Sequence, residues 1–273
     1  MKRWRGLGLR GELTVLKLGG SVITLKDKPL TPNMPAIRRL AREIASSKSS
    51  PLILVHGGGS FGHLLAAEYG IAGGLKGYGQ RVGFSKTHNS MVKLNMLVVE
   101  ALLDEGLPAV GIAPSSFIIT RRGRIESLYK DVLDHAIKLG FIPVLYGDSV
   151  LDYDQGFAIL SGDQIVAKIA VEFNAKRIIF GVDVDGLYTC DPKVNSDACL
   201  LTEIKVSDLE RIVASLGGSR AVDVTGGMMG KILEIMDPVF RGIEALIINA
   251  LRENNIYRAL RGESVIGTWI IKG

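Results

Sequence analysis

The feature that most constrains the fold is an alternation of short β-rich runs with amphipathic segments of helical length. This alternation is typical of a parallel sheet covered by helices on both faces. The predicted strands are residues 13–18, 52–56, 109–112, 142–145, 177–181 and 244–248, and the predicted helices are residues 35–46, 81–105, 129–139, 163–173 and 207–216. The sequence therefore predicts an α/β fold, a three-layer α/β/α sandwich with a mainly parallel central sheet.

Two further segments have the pattern of β-hairpins. One covers residues 118–125 and turns at residues 121–123, and the other covers residues 150–159 and turns near residues 154–156. We expect both to project from the main sheet, where they would cover a site. Without a repeat or a linker in the sequence, we predict a single domain over residues 1–273, with lobes of about 12–160 and about 161–273 on one continuous sheet.

Composition limits the class of protein. Of 273 residues, 47% are hydrophobic, which suits a globular protein with a large core. The formal charge of +5 would suit nucleic-acid binding, but the basic residues are scattered without interleaved aromatic residues, and an enzyme for anionic substrates explains the charge equally well. There is neither a stretch of membrane-spanning length nor a signal peptide, so we predict a cytoplasmic protein that binds no nucleic acid or membrane. Cys190 and Cys199 lack metal-ligand spacing, and we expect both to be reduced.

Glycine-rich loops follow the first two predicted strands. In an open α/β sheet, ligands bind beyond the carboxyl ends of the strands. Glycines let backbone N–H groups approach a ligand closely, and the N-terminus of a following helix adds partial positive charge. Two such loops side by side would cradle phosphates, and their sequences are Lys17-Leu18-Gly19-Gly20-Ser21 and His56-Gly57-Gly58-Gly59-Ser60-Phe61-Gly62-His63.

Two segments of the sequence resemble common nucleotide-binding motifs, the dinucleotide motif and the P-loop, but neither segment matches its motif fully. Residues 57–62 have the G-x-G-x-x-G spacing of a dinucleotide site, but the loop follows the second strand and no acidic residue stands about 20 positions later. Residues 226–231 lack one position of a P-loop, and Ile232 stands where Ser or Thr should bind magnesium.

A dispersed set of residues does match a known family. The set consists of Lys17, Lys26, the two glycine loops, Ser161-Gly162-Asp163, residues 183–188, and residues 225–228 with Lys231. In this order, from Leu13 to Lys272, the set resembles the amino-acid-kinase family, which includes acetylglutamate kinase, aspartokinase, carbamate kinase and uridylate kinase. Within that family, the loop that ends in Gly62 and His63 resembles the archaeal-type isopentenyl phosphate kinases and the related fosfomycin kinases.

The resemblance implies a role for each residue of the set. Lys17 and Lys231 would hold the phosphates and the moving phosphoryl group, and Lys26 would stabilise the transition state. Asp163 would orient the lysines, and His63 would donate a hydrogen bond to the acceptor phosphate. The implied ATP-binding residues are Lys17, Gly19, Gly20, Ser21, Gly59, Asp183, Tyr188, Gly226 and Lys231. The implied acceptor-binding residues are Gly57, Gly58, Gly62, His63 and Gly162, and no protein ligand to a metal is implied.

The function implied by the resemblance is ATP-dependent phosphorylation of isopentenyl phosphate to isopentenyl diphosphate, in an alternative mevalonate route of isoprenoid synthesis. ATP and Mg²⁺ are the implied cofactors, and a homodimer is the implied assembly. Phosphoryl transfer mainly needs positioning and charge stabilisation, and a phosphate acceptor brings two anions together, so a site with several cations suits it. A fosfomycin-type phosphonate kinase stays open as an alternative, as does a nucleotide-binding sensor or storage module without turnover.

Ordinary structural roles compete with some of these assignments. Lys26 would by itself be a solvated surface charge, and Asp183 and Asp185 would by themselves shape a turn before Gly186. We assign no function to the two histidines in helical context, His88 and His135. An apolar segment after His63 would either form the floor of a pocket for the organic tail or only pack a helix on the sheet. It comprises Leu64, Leu65, Tyr69, Ile71, Val82 and Phe84.

Overall fold

The computed structural model describes residues 12–189, 197–208 and 226–273. The strands of this part of the chain are β1 (Thr14–Leu18), β2 (Leu52–His56), β3 (Ala109–Gly111), β4 (Ile118–Arg121), β5 (Arg124–Leu128), β6 (Ile142–Tyr146), β7 (Asp148–Asp152), β8 (Gly156–Leu160), β9 (Arg177–Val182), β10 (Leu187–Tyr188), β11 (Leu200–Leu201), β12 (Glu203–Lys205), β13 (Glu244–Asn249) and β14 (Gly267–Ile271). Its α-helices are α1 (Gly20–Ile23), α2 (Met34–Ser47), α3 (Gly59–Glu68), α4 (Tyr78–Asp104), α5 (Asp131–Lys138), α6 (Gly162–Glu172), α7 (Gly226–Phe240) and α8 (Asn255–Arg261).

The main sheet has eight strands among the described residues, in the order β12-β14-β13-β9-β1-β2-β6-β3. All neighbours are parallel except β13 and β14. Strands β1 and β2 are buried along their whole length, as expected for a parallel sheet covered on both faces. Successive residues alternate between two hydrophobic clusters, with Val15 in one and Leu16 in the other. One cluster includes α6 and α7, the other α2, α4 and α8, so the predicted three-layer sandwich is confirmed.

The six predicted strands are confirmed as β1, β2, β3, β6, β9 and β13, and four predicted helices as α2, α4, α5 and α6. The predicted helix 207–216 falls mostly outside the described residues. The prediction omitted α1, α3, α7 and α8 and the strands β10, β11, β12 and β14. The glycines that open α3 conceal its periodicity, because a glycine adds no hydrophobic signal to a helical stripe.

The two predicted hairpins are confirmed and join into a sheet of their own. Its strand order is β5-β4-β7-β8, and β4 meets β7 at Thr120 and Asp152. Asp152 is 5% exposed, and its carboxylate accepts hydrogen bonds that connect β4, the turn after it and β7. Burial alone would raise the pKa of Asp152, but hydrogen bonds hold that pKa well below its usual range. The donors are the backbone N–H groups of Arg122, Gly123, Asp154 and Gln155 and the hydroxyl of Thr120.

Two further sequence predictions can be compared with the described residues. None of the helices described here is both long and apolar enough to cross a bilayer. Cys199 is exposed and forms no disulfide with any residue that the structure describes. Cys190 lies outside the described residues, so its reduced state stays a prediction.

Candidate active site

A cavity of about 670 Å³ lies beyond the carboxyl ends of β1, β2, β6 and β9. The segments that follow these strands line it, as expected for an open α/β sheet. The predicted site residues along its wall are Lys17, Gly19, Gly20, Ser21, Lys26, Gly57, Gly58, Gly59, Gly62, His63, Gly162, Asp163, Asp183, Tyr188 and Lys231. Gly226 begins α7, whose Met228 and Lys231 also line the cavity. Tertiary structure therefore brings together residues that lie up to 214 positions apart, from Lys17 to Lys231 (231 − 17).

The two glycine loops lie against each other, backbone to backbone. A Cβ atom on Gly20 would lie 2.3 Å from the backbone nitrogen of Gly59, so no larger residue fits between the loops. Gly59 has a φ of +48°, and a Cβ atom there would lie 2.1 Å from the hydroxyl oxygen of Thr24. The first turn of α3 begins at this contact, and the positive end of its helix dipole suits a bound phosphate.

Asp163 connects two lysines at the centre of the site. Lys17 lies near the end of β1 and is 5% exposed, and its Nζ forms an ion pair with one oxygen of Asp163. Nζ of Lys231 on α7 lies 3.6 Å from the other oxygen. Burial lowers the pKa of Lys17, the charge of Asp163 raises it, and the charge of Lys231 lowers it, with a net decrease. Ser161 caps α6 by accepting a hydrogen bond from the backbone N–H of Gln164 at 3.2 Å, which fixes the helix that carries Asp163.

Lys26 forms a second ion pair at the rim of the cavity. Its Nζ lies 2.8 Å from Oδ2 of Asp183, and its side chain is 60% exposed. Burial alone would raise the pKa of Asp183, but the hydrogen bond and the charge of Lys26 bring it below its ordinary value. Lys26 is thus exposed, as the solvated-charge interpretation requires, yet it has a partner across the site.

The segment from Asp183 to Tyr188 is fastened by residues that sequence patterns did not single out. Nε of Arg252 donates to Asp185 at 2.7 Å, and Nδ2 of Asn249 donates to the same carboxylate at 3.0 Å. The backbone N–H of Leu187 donates to the hydroxyl of Thr268 at 2.8 Å. Asp185 therefore makes tertiary contacts in addition to shaping the turn.

His56 and His63 stand at the two ends of the second glycine loop and differ in environment. His63 is exposed on α3 and lines the cavity. His56 is fully buried, and burial lowers its pKa to about 4, so it is neutral. Its Nδ1 donates to the carbonyl of Gly57 at 3.1 Å, and its Nε2 accepts from Asn95 at 3.2 Å. His56 therefore holds the glycine loop in place, whereas His63 is available to a ligand.

His88 is closer to the site than its helical context suggested. Its Nδ1 donates to both carboxylate oxygens of Asp148 at 3.0 Å, and Asp148 lines the cavity. The hydrogen bond that His88 donates to Asp148 raises the pKa of His88. His135, by contrast, is exposed on α5 and lines no part of this cavity.

Of the apolar residues expected to form a pocket, only Leu64 lines the cavity. Leu64 lines the cavity, but Tyr69 and Phe84 do not. Tyr69 packs against Gly83 and contacts Lys86, and the Phe84 ring lies 5.3 Å from that of Phe157. The residues along the apolar wall are instead Leu64, Ala66, Met91, Ile159 and Leu160. Sequence reasoning missed Met91 because its helical stripe indicated only core packing.

No group of three or more His, Cys, Asp or Glu side chains within residues 12–189, 197–208 and 226–273 is arranged to hold a metal ion. The carboxylates of Asp163 and Asp183 lie in the cavity, and each is paired with a lysine. A divalent cation at this site would therefore depend largely on ligands that the substrate brings.

Comparison with known proteins places this geometry in a family. A model of the amino acid kinase family matches residues 12–249. The chain belongs to this family, and the predicted fold and resemblance are confirmed.

Within the family, several isopentenyl phosphate kinases are more than 30% identical to this chain over most of its length. The chain is 44% identical to the isopentenyl phosphate kinase of Methanothermobacter thermautotrophicus, covering 94% of this chain and 98% of the relative. It is 37% identical to that of Methanocaldococcus jannaschii, with the same coverage. A solved isopentenyl phosphate kinase structure superposes with a TM-score of 0.83 at 41% identity, covering 94% of this chain and 99% of the other. A Thermoplasma acidophilum isopentenyl phosphate kinase product complex superposes with a TM-score of 0.73 at 32% identity, with the same coverage.

Proposed function

We propose that this chain transfers the γ-phosphoryl group of ATP to isopentenyl phosphate, which yields isopentenyl diphosphate and ADP. One observation carries the proposal: two glycine loops, three lysines and His63 line a single cavity. The relatives that bear the name of this activity match from one end of the described chain to the other.

The reaction brings two anions into contact. An oxygen of the acceptor phosphate attacks the γ-phosphorus, and the bond from that phosphorus to the bridging oxygen of ADP breaks. Two unit charges 4 Å apart repel by about 4 kcal/mol at the effective dielectric constant of a protein surface. Lys17 and Lys231 offset this repulsion, and Asp163 keeps both ammonium groups directed at the phosphates.

Lys26 has the mobility that a transition-state donor needs. Its side chain is largely exposed and is held by one partner, Asp183. Release from Asp183 lets the ammonium group follow the moving phosphoryl group between donor and acceptor. The exposed ion pair holds Lys26 only weakly, since pairs of this kind contribute at most about 1 kcal/mol.

The acceptor binds on the side of the second glycine loop. His63 donates a hydrogen bond to the acceptor phosphate, and the positive end of the α3 helix dipole stabilises the same phosphate. The hydrocarbon tail packs along Leu64, Met91 and Ile159. On this basis the lobe of about residues 12–160 binds the acceptor, and the lobe of about 161–273 binds ATP through Asp183, Tyr188 and Lys231.

Mg²⁺, the assembly and the compartment complete the proposal. Mg²⁺ would enter on the ATP phosphates, where it neutralises charge, since such ions are commonly held by substrate phosphates with few protein ligands. We further propose a homodimer, which light scattering after size-exclusion chromatography would test. We place the reaction in the cytoplasm, which fractionation of source cells would test.

A panel of acceptors tests the proposed function. The protein is incubated with Mg-ATP and isopentenyl phosphate, dimethylallyl phosphate, fosfomycin, acetylglutamate or UMP, and ADP release is measured. We expect the highest kcat/KM with isopentenyl phosphate. Turnover of fosfomycin or a carboxylate in preference to isopentenyl phosphate would refute the proposal, and so would the absence of ADP release with every acceptor.

A further inference from the structure

The acceptor side of the cavity carries a polar group that a hydrocarbon tail does not use. Thr87 lines the cavity and is 2% exposed, and its hydroxyl oxygen is buried without a hydrogen-bond partner in the structure. No other side-chain nitrogen or oxygen of the described residues is buried in this way. Buried hydroxyls are as a rule hydrogen-bonded, so an unpaired one in the wall of a binding cavity indicates a partner that arrives with a ligand.

Thr87 stands at the distance from the phosphate cradle that a short acceptor spans. Helices α3 and α4 pack side by side: a Cβ atom on Gly62 would lie 3.2 Å from Sδ of Met91, and one on Gly83 would lie 2.2 Å from Cβ of Tyr69. Thr87 lies midway between Gly83 and Met91 on α4. It is therefore one helical turn, about 6 Å, beyond the methionine that supports the glycine loop.

A neighbouring carboxylate argues against an anionic partner for Thr87. Asp148 lines the same cavity and is 2% exposed. Its oxygens accept hydrogen bonds from His88, which follows Thr87 on α4, and from the backbone N–H of Ser149 at 2.9 Å. A negative charge in the wall disfavours an anionic partner, and an alcohol hydroxyl is a neutral group that can both donate a hydrogen bond to Thr87 and accept one from it.

We propose that the tail region of the cavity accepts short-chain monophosphates that carry a neutral hydroxyl group, with Thr87 as the residue that recognises this hydroxyl. The inference rests on the proposed function, because it assumes that the acceptor phosphate lies on the second glycine loop. In helices, threonine populates two χ1 rotamers, so rotation about one bond exchanges its methyl and hydroxyl groups. This rotation brings the hydroxyl toward a ligand in the cavity that the side chain lines.

The test compares acceptors that differ by one oxygen atom. ADP release is measured with isopentyl phosphate and with the same phosphate bearing a hydroxyl on its branched carbon or on a terminal carbon. The wild-type enzyme should use at least one hydroxylated acceptor within about tenfold of the hydrocarbon acceptor, because a buried hydroxyl without a partner would lower binding far more than tenfold. Rejection of both hydroxylated acceptors by clearly more than about tenfold relative to isopentyl phosphate would overturn the inference.

Two variants of Thr87 assign the effect to its hydroxyl. Thr87→Val keeps the shape and removes the hydroxyl, and Thr87→Ser keeps the hydroxyl. We expect Thr87→Val to lower kcat/KM for the hydroxylated acceptor about tenfold relative to isopentyl phosphate, and Thr87→Ser to retain the wild-type ratio. An unchanged KM for ATP shows that each variant is folded. An equal change with both acceptors in Thr87→Val would refute the assignment.

Isopentenyl phosphate is assayed in parallel so that the two proposals fail separately. Turnover of isopentenyl phosphate with rejection of both hydroxylated acceptors leaves the proposed function intact and overturns only the role of Thr87. Absence of turnover with isopentenyl phosphate refutes the proposed function and, with it, the inference that rests on it.

Discussion

Replacement of Asp163 by asparagine removes the charge that joins two lysines while it preserves the shape of the side chain. One carboxylate oxygen pairs with buried Lys17, and the other lies 3.6 Å from Nζ of Lys231. Burial and the charge of Lys231 both lower the pKa of Lys17, and Asp163 opposes them. In the variant, nothing at this position opposes them, so the pKa of Lys17 falls further.

The size of the effect follows from the burial of Lys17. A buried ion pair that loses one partner costs about 3 to 5 kcal/mol if the remaining group stays charged. Lys17 avoids that cost when it releases its proton, but a neutral amine no longer stabilises the phosphates. One positioned donor in a transition state is worth about 3 to 4 kcal/mol, so kcat should fall about 100- to 1,000-fold in Asp163→Asn.

The pH dependence of kcat provides the second readout. Lys17 is active when protonated, so activity falls as the pH rises through its pKa. This descending limb should lie at lower pH in Asp163→Asn than in the wild type, because the pKa of Lys17 is lower in the variant. Steady-state kinetics with saturating Mg-ATP and isopentenyl phosphate over a pH series measures both effects.

A surface ion pair supplies the matched control. Asp134 pairs with Lys138 on the exposed side of α5, and neither residue lines the cavity. Asp134→Asn should leave kcat and the pH profile unchanged, since exposed pairs contribute little. The reasoning is refuted if Asp163→Asn retains kcat within about tenfold of wild type, or if its descending limb does not move.

Four further substitutions test other parts of the molecule. Lys26→Ala should lower kcat about 100- to 1,000-fold with little change in KM for ATP or for isopentenyl phosphate. A near-normal kcat would show that Lys26 is only a solvated surface charge. His63→Ala should raise KM for isopentenyl phosphate and lower kcat while KM for ATP stays within about twofold, and an equal loss of ATP affinity would contradict the acceptor role. Met91→Ala should improve relative activity on longer prenyl phosphates, by up to about 0.8 kcal/mol for each methylene accommodated, whereas exposed Met96→Ala on the same helix should not. Asp152→Ala should lower Tm by about 5 °C at neutral pH because several hydrogen bonds to a charged acceptor are lost. Since folding depresses the pKa of Asp152, its contribution is complete above about pH 4 and is lost as the pH falls; a Tm difference that persists in strong acid would show another cause.

Several features of the fold could be predicted because they depend on local patterns. Residues 52–56 are apolar, β-rich and bounded by turn residues, and they form β2 with those same bounds. The helices α1 and α3 were missed because each begins in a glycine loop, where hydrophobic periodicity is absent. The same glycines nevertheless indicated two loops that the structure places side by side in the cavity wall.

The active-site residues that patterns missed all acquire their role through distant contacts. Arg252 fastens Asp185 from 67 positions away along the chain, and Asp148 meets His88 from 60 positions away. Neither contact leaves a local signal, because an arginine after a strand or a histidine in a helix has many ordinary roles. Tyr69 and Phe84 show the reverse error: proximity to His63 in sequence suggested a pocket, but both side chains pack elsewhere.

The sequence by itself determined the class of fold, the family and the chemical groups available to the site. Hydrophobic periodicity dictates which segments become strands or helices, and the glycines and lysines remain recognisable wherever the chain places them. Only the tertiary structure shows that Asp163 pairs with Lys17 and Lys231, that Asp183 pairs with Lys26, and that Thr87 and Met91 line the cavity. These contacts depend on how the helices pack on the two faces of the sheet. Packing is a property of the whole chain, because each contact forms only where its partner, far away in sequence, is already held.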